Sequence, residues 1–356
     1  MRRKSIRKEI TLLSGMIREN KVSSLHNTLD RLNALIPWEQ FRPILERVRK
    51  PSPKGGRPPY DEVFMFKCLI LQELYGLSDE ELEYQIADRC SFQKFLGMNI
   101  ASDVPDYGTI NRFRNLLKEQ NLVADLNDQF YKYLRLNGLI LRKGVIADAT
   151  FVEAPRQRNT REENAAIKAN LPSEEAFPDK SKQSRSHKDV DARWTSKNGV
   201  RHFGYKNHIL CDSRTKLIID YETTPANVHD SQLLTSLLPP HPENFESVYA
   251  DSAYDSSAIE SELKRRCYKS EIVERGRRGH PLTPDQKENN RSKSRIRSRV
   301  EHVFGDIKNR RGGLRTMTIG LDNARTKIGL INLAYNMRRF LTLTLQQSPK
   351  NGVLWG

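Results

Sequence analysis

Apolar residues recur every three or four positions as far as Gly144, and every second position in the stretches that follow. The first half therefore predicts helices and the second half strands mixed with helices. Leu25, Leu29, Leu32 and Ile36 make one helical stripe over 5–36, which Pro37 and Trp38 end. Such a stripe either joins a core or pairs with a second copy of the chain. Val63, Phe64, Phe66, Leu69, Ile70 and Leu74 predict a helix over 61–75, stopped by Gly76. Ser78-Asp-Glu-Glu81 is a capping box that starts the next helix. After an apolar piece at 92–98, the turn Pro105-Asp-Tyr-Gly108 leads into Thr109-Ile-Asn-Arg112-Phe-Arg114. Two readings of that helix stand: a recognition helix whose Arg112 and Arg114 meet phosphates, or one member of a plain helical bundle.

Past Gly144, Val145-Ile-Ala-Asp148-Ala-Thr-Phe-Val152 is rich in β-branched residues and predicts a strand. Residues 153–200 are almost wholly polar, with Trp194 near their end, and are expected to form a flexible insertion. Strands return at 201–211 and 216–223. An Asn227-Val-His229-Asp230 turn then opens a helix carrying Leu233, Leu234, Leu237 and Leu238. A strand over 247–254, a helix over 256–267, a strand over 268–273 and helices over 291–311 and 321–345 complete the order. Three successive strands followed by alternating helices and strands predict an α/β sheet, part antiparallel and part parallel. The expected organisation is a helical segment over 1–48, a basic Pro/Gly linker over 49–59, a helical domain over 60–140 and an α/β domain over 141–346.

Charge narrows the partners. The 356 residues carry a formal net charge of +16, with 13 Lys/Arg against 4 Asp/Glu between 275 and 315. Such a run is either a solvated face or a phosphate-binding surface, and the overall balance favours a polyanion. The stretch Arg49-Lys-Pro-Ser-Pro-Lys-Gly-Gly-Arg57-Pro-Pro59 reads as a linker, or as an arm that lies in a DNA groove with Arg57 as a contact. No apolar run approaches the roughly 20 residues of a membrane span, and the charged N-terminus lacks a signal-peptide core. Nucleic acid is then the preferred polyanion, no membrane is expected, and the expected location is the cytoplasm, on the bacterial nucleoid. The four cysteines, Cys68, Cys90, Cys211 and Cys267, show no zinc-type spacing, and reduced, mostly buried thiols are expected.

The helix over 291–311 carries candidate chemistry. At about 100° per residue, Ile296, Val300, Val303, Phe304 and Ile307 share one arc, and Arg297, Glu301 and Lys308 share the next. Arg295 and Arg299 point to the far side as further candidate phosphate contacts. Alone this is a basic amphipathic helix. Two strands, however, each hold a lone Asp among uncharged neighbours: Asp148 after Ala147, and Asp251 after Ala250. An Asp in an apolar strand is unfavourable unless it is paired or binds a metal. Asp148, Asp251 and Glu301 together suggest one shared site. Carboxylate oxygens are hard ligands that select Mg²⁺, with Mn²⁺ as an alternative. Two such ions about 4 Å apart suit in-line phosphoryl displacement.

These residues resemble a family. The chain is similar to bacterial insertion-sequence transposases of the DDE type, in the IS-five group of the IS-four/IS-five superfamily. The resemblance runs from Pro59-Tyr-Asp and Leu77-Ser-Asp-Glu-Glu through Asp148-Ala-Thr-Phe-Val-Glu-Ala-Pro155, His202-Phe-Gly-Tyr-Lys206-Asn-His208, Ala226-Asn-Val-His229-Asp230 and Tyr249-Ala-Asp251-Ser-Ala-Tyr254 to Arg297-Ser-Arg-Val-Glu301-His and Lys308. It implies a ribonuclease H-like mixed-sheet catalytic domain after an all-α DNA-binding domain. It also implies a metal-binding and catalytic triad at Asp148, Asp251 and Glu301. The Arg-x₃-Glu-x₆-Lys pattern resembles the family signature and implies DNA contacts at Arg297 and Lys308. The related IS-four pattern has a Tyr three residues before that Arg, where this chain has Ser294. Only about 50 residues separate Asp251 from Glu301, too few for the large β insertion of some relatives.

Lys206 and His208 lie on the strand beside that of Asp148 and by alternation share a side; DNA contact and a structural role both stand. For Asn227 and His229, the family motif and a turn with a helix cap are equal accounts. His302, about 100° round the helix from Glu301, is expected beside the site or exposed. The resemblance implies binding to the terminal inverted repeats of an insertion sequence, Mg²⁺-dependent hydrolysis at the 3′ ends, and joining to target DNA by a homodimer or larger assembly. The alternatives are a metal-dependent nuclease of the same fold and a DNA-binding relic with a dead site.

Overall fold

The structure is a computed structural model that describes residues 28–48, 58–99, 102–141, 143–240 and 247–347. The expected helix before residue 28 and the basic stretch with Arg57 lie outside the described residues. The chain divides into two compact units, the first holding residues up to 72 and 77–113, the second 73–76 and everything from 114 onward.

Every element described in the first unit is helical. Helices α1 (Thr28–Leu35), α2 (Glu62–Tyr75, whose last turn belongs to the second unit), α3 (Asp79–Asp88) and α4 (Cys90–Leu96) precede α5 (Tyr107–Glu119), which begins here. The Ser78 side chain accepts from the Glu81 N–H, as the capping box predicts. The core is aromatic: Trp38 meets Phe95 edge-on at 5.6 Å between centroids and Phe66 at 6.0 Å. Lys94 pairs with Asp30 at 2.9 Å on the rim.

The second unit is built on a mixed sheet, for the reason the alternation gives: half-buried β-branched strands need cover on each face. Among the described residues it comprises β1 (Val145–Glu153), β2 (Arg193–Lys197), β3 (Val200–Asp212), β4 (Ile218–Pro225), β5 (Ser247–Ala250) and β6 (Lys269–Ile272). Their order is β2-β3-β1-β5-β6, with β4 also on β3. β3 runs antiparallel to β1, β2 and β4, while β5 is parallel to β1 and β6. The helices are α6 (Leu122–Leu136), α7 (Arg161–Lys168), α8 (Ser257–Arg265), α9 (Pro284–Arg297), α10 (Arg299–Asn309) and α11 (Leu321–Gln347), with single-turn helices between. Ile146 and Val152 of β1, with Tyr205, Ile209 and Cys211 of β3, form one core with Val300, Val303, Phe304 and Ile307 of α10 and Ile328 and Ile331 of α11. The apolar arc expected for the Glu301 helix is therefore the docking face of α10. At roughly 25 cal/mol per Å² of apolar surface, that stripe fixes where the helix's adjacent arc lies.

Three expectations change. The helix expected over 291–311 starts earlier, at a Thr283–Gln286 capping box with Pro284 in its first turn, and is interrupted at Ser298 into α9 and α10. The stretch 153–200 is folded, not a flexible loop. Thr160 and Glu163 cap α7 reciprocally, Ile167, Ala176 and Phe177 make a small core of their own, and Asp189 ties the segment down. That buried carboxylate accepts from the Tyr205 hydroxyl at 2.7 Å and from the Ala192 and Gly320 amides. Polar composition concealed this because much of the segment's order comes from caps and one buried acid rather than from a wide apolar face. Finally, Cys68 and Cys211 are buried, with burial raising both thiols, but Cys90 and Cys267 are exposed.

Candidate active site

Strand register places the first two acids side by side. β1 and β5 pair in parallel with Ile146 opposite Tyr249. Carried beyond that last pair, the register brings Asp148 of β1 near Asp251, and the Asp251 charge acts on the Asp148 carboxyl. Asp148 lies on the sheet face covered by α10, since Ile146 and Val152 share its side of β1. Asp251 falls just past the end of β5, where its carboxylate accepts from the Ala253 N–H at 2.7 Å and caps a single-turn helix, Ser252–Tyr254. The carboxyl ends of parallel strands are where open α/β sheets hold ligands.

Arg297, at the end of α9, joins the sheet to the third acid. Its Nη1 donates to Asp148 Oδ2 at 3.1 Å and its Nη2 to Glu301 Oε1 at 3.5 Å. Asp148 is mostly buried, and burial pushes its carboxyl up to about 6 against the Ala149 amide and the Arg297 charge, with Asp251 adding to the rise. Glu301 is two-thirds exposed on α10. Lys308, two turns on, is exposed, and partial desolvation lowers its ammonium, opposed by the charge of Asp148. The expected Arg297, Glu301 and Lys308 arc is thus turned toward Asp148. His302 is exposed.

Other candidates are not gathered there. Lys206 and His208 pair with Phe151 and Ala149 of β1, so they occupy the sheet face opposite Asp148. Both are buried. Lys206 donates to Asp230 and to the Val228 carbonyl, each at 2.7 Å, and lies over the Phe151 ring. His208 bonds Thr224 at 2.8 Å, and burial lowers it to about 4, with Asp230 opposing. Burial and pairing support the structural reading of these two. Arg299 donates to the Ser213 carbonyl at 2.9 Å and Arg295 is exposed on α9. Arg112 is exposed in the first unit. Arg114 lies in the second, within electrostatic reach of the buried Glu73. His229 caps a single-turn helix, accepting from the Ser231 N–H.

Sequence reasoning passed over three residues. Asp230, in the Asn227 turn, anchors Lys206. Tyr254 is buried, its hydroxyl raised well above the ordinary range by burial and then by Asp230, Asp148 and Asp251. Lys197, at the end of β2, acts on the charge of both Asp148 and Lys308. An Asn198-Gly199 pair follows it, which is a hairpin signal the polar composition masked.

The family described as "Transposase DDE domain" matches residues 141–337, more than half of the chain. The chain belongs to that family. The DDE domain implies a ribonuclease H-like fold, in accord with the mixed sheet and its helical cover. A second family, "Transposase domain (DUF772)", matches residues 17–116. DDE transposase domains in general use divalent metal ions and act on DNA. The donor chemistry of Asp148, Asp251 and Glu301 fits a hard ion. Yet among the described residues no three acidic, histidine or cysteine side chains stand together as a ready metal cage. Arg297 sits between Asp148 and Glu301, and Glu301 has the exposure to turn away from it. No helix among the described residues is long and apolar enough to cross a membrane.

Proposed function

We propose that this chain is an insertion-sequence transposase of the IS-five group. It binds the terminal inverted repeats of its element, cleaves the 3′ ends by Mg²⁺-dependent hydrolysis and joins them to target DNA. The observation that carries this reading is the chain of contacts Asp148–Arg297–Glu301, which joins β1 to α9 and α10 with Asp251 close by. Asp148, Asp251 and Glu301 hold the metal in this reading, with Mn²⁺ as a substitute. When bound, the divalent ions activate the attacking oxygen and stabilise the leaving one. Arg297 orients the carboxylates and, with Lys308, holds phosphates next to them. α10 keeps Glu301 at the sheet because its apolar stripe is buried. The helical first unit, with Arg112 on its surface, supplies end recognition. Two ends are cut in concert, which calls for a homodimer or larger assembly on bacterial DNA in the cytoplasm.

The test is a strand-transfer assay with pre-cut element ends, Mg²⁺ and a target plasmid, Asp251→Ala serving as control. Joined products that vanish in the variant, with end binding retained in a gel shift, support the proposal. Cleavage without joining assigns the chain to nucleases of the same fold. Binding without cleavage in either metal assigns it to inactive DNA-binding relics.

A further inference from the structure

The loop between β6 and α9 reads Glu274-Arg275-Gly276-Arg277-Arg278-Gly279-His280. The Arg277 N–H donates to the His280 carbonyl at 3.1 Å and the His280 N–H to the Arg277 carbonyl at 2.9 Å, with Gly279 at φ 83° in the turn between them. Asn290 of α9 pins the base of the loop. Its side chain accepts from the Glu274 N–H and donates to the Glu274 carbonyl, each at 3.0 Å. The same loop is tied to the segment that carries Asp251. The Val273 N–H donates to the Ala250 carbonyl at 3.1 Å, and the Arg275 N–H to Asp255 Oδ2 at 2.9 Å, so hydrogen bonds bracket residues 251–254. Asp255, Arg275, Arg277, His280 and Gln286 line an open recess of about 500 Å³ at this place. Arg275, Arg277 and Arg278 are exposed, and among the described residues none of them makes an ion pair. The nearest acid in sequence is already engaged: Glu274 accepts from Gln286 at 2.8 Å and pairs with Lys293 at 3.4 Å.

We propose that this arginine loop is a DNA-phosphate contact, holding the sugar–phosphate backbone on the β6 side of Asp251. The inference rests on the transposase reading. Arginine keeps its charge at any working pH, and its planar fork matches two phosphate oxygens. Three guanidiniums within four residues repel one another, and a phosphate backbone is the anion that relieves all three. A solvated basic loop could leave the same charges to water, but it would need no anchorage. Here backbone bonds close the turn, Asn290 holds its base, and Arg275 is bonded to the acid segment itself. The loop also stands at the carboxyl ends of two parallel strands, β5 and β6, the edge at which such sheets take their ligands. The reaction handles two duplexes, the element end and the target, and the same phosphate chemistry serves either; experiment separates them.

The test uses the intact protein with Arg275→Ala, Arg277→Ala and Arg278→Ala combined. The control combines Lys132→Ala, Lys168→Ala and Lys264→Ala, exposed lysines spread over α6, α7 and α8, and so loses the same charge. All proteins are compared at a temperature where they remain folded. Binding to a duplex copied from the DNA flanking the gene is measured over a salt series, with calcium in place of magnesium to prevent cleavage. Joining of pre-cut ends in magnesium is measured against target concentration. If the loop holds the element end, the arginine triple binds roughly tenfold or more weakly than the control, and its slope of log K against log salt falls by about two to three. If it holds the target, end binding matches the control while the target concentration for half-maximal joining rises roughly tenfold. If wild type binds and joins while the arginine triple matches the control in affinity, slope and target dependence, the loop contact is wrong and the transposase reading survives. If wild type neither binds any duplex in a salt-dependent way nor joins ends, both fall together.

Discussion

Arg297 and Asp148 are 149 residues apart in sequence and 3.1 Å apart in space, and the same guanidinium reaches Glu301 one turn along. One arginine thus ties strand β1 to the helix that carries the third acid. Its positive charge stands where two carboxylates would otherwise repel. Because Arg297 opposes the rise of the Asp148 carboxyl, removing it raises that carboxyl further. Metal binding needs the ionised form. Arg297→Gln is therefore expected to move the midpoint of Mn²⁺ binding to higher pH than in wild type, as followed by calorimetry over a pH series. A midpoint that stays put removes Arg297 from the site's electrostatics.

Asp148 should also be a liability to the metal-free fold. Its folded-state value of about 6 lies above the ordinary aspartate value of about 4. For a carboxyl raised on folding, the neutral form is favoured by the native state. That contribution is fully present below about pH 4 and is lost as pH rises through 6. At pH 7.5 the ionised group therefore costs about 3 kcal/mol relative to a neutral one. Asp148→Asn should raise the melting temperature by several degrees at pH 7.5 without metal. The gain should disappear at pH 4, and cleavage should be lost at every pH. Equal melting curves at pH 7.5 would contradict the buried, charge-averse setting described for this side chain.

Glu301 and Lys308 share a helix face yet should separate cleanly in assay. Glu301→Ala is expected to leave affinity for element ends within about twofold while abolishing 3′ cleavage, since an exposed carboxylate contributes little to phosphate binding. Lys308→Ala should instead weaken binding and flatten its salt dependence. The shared arc was readable in the sequence, because a 3.6-residue period alone places Arg297, Glu301 and Lys308 together. The same is true of the docking stripe and of Asp148, whose strand announces itself by β-branched alternation. Other parts were not readable. Nothing in the spacing of Lys206 and His208 says that β3 turns them to the face opposite Asp148, because alternation fixes their common side but not which side. The helices within 153–200 escaped notice because a capping box and the single buried acid Asp189 order them. Lys197 escaped with them, although Asn198-Gly199 marked its hairpin.

Glu73 is the most exacting ion pair in the second unit. Its carboxylate is fully buried; burial alone would raise it, but Lys327 and Arg311 outweigh that and hold it below the ordinary range. Lys327 donates at 2.6 Å, and Arg311 bonds both the carboxylate and the Glu73 carbonyl in the last turn of α2. Glu73→Ala strands two part-buried cations beside a fully buried site and should destabilise the fold by about 3 kcal/mol in urea titration. For a depressed carboxyl, the stability is present at neutral pH and is lost as pH falls through the folded value. The gap between wild type and variant should therefore narrow in acid. A constant gap from neutral to acid pH would show that the loss is one of packing, not charge.

Gly204 offers a way to separate backbone strain from close approach. Gly199 and Gly204 both have positive φ, 78° and 142°, but a Cβ on Gly199 meets nothing within 4 Å. Gly199→Ala should therefore lose only the conformational term, about 1 kcal/mol. Gly204→Ala must in addition push a methyl group against the Val152 carbonyl oxygen of β1 and the Ala154 nitrogen just past its end, backbone atoms that cannot rotate away. A loss on the order of 3 kcal/mol is expected. Urea titration of both variants reads the difference directly, and equal stability would show that the strands separate freely at this point.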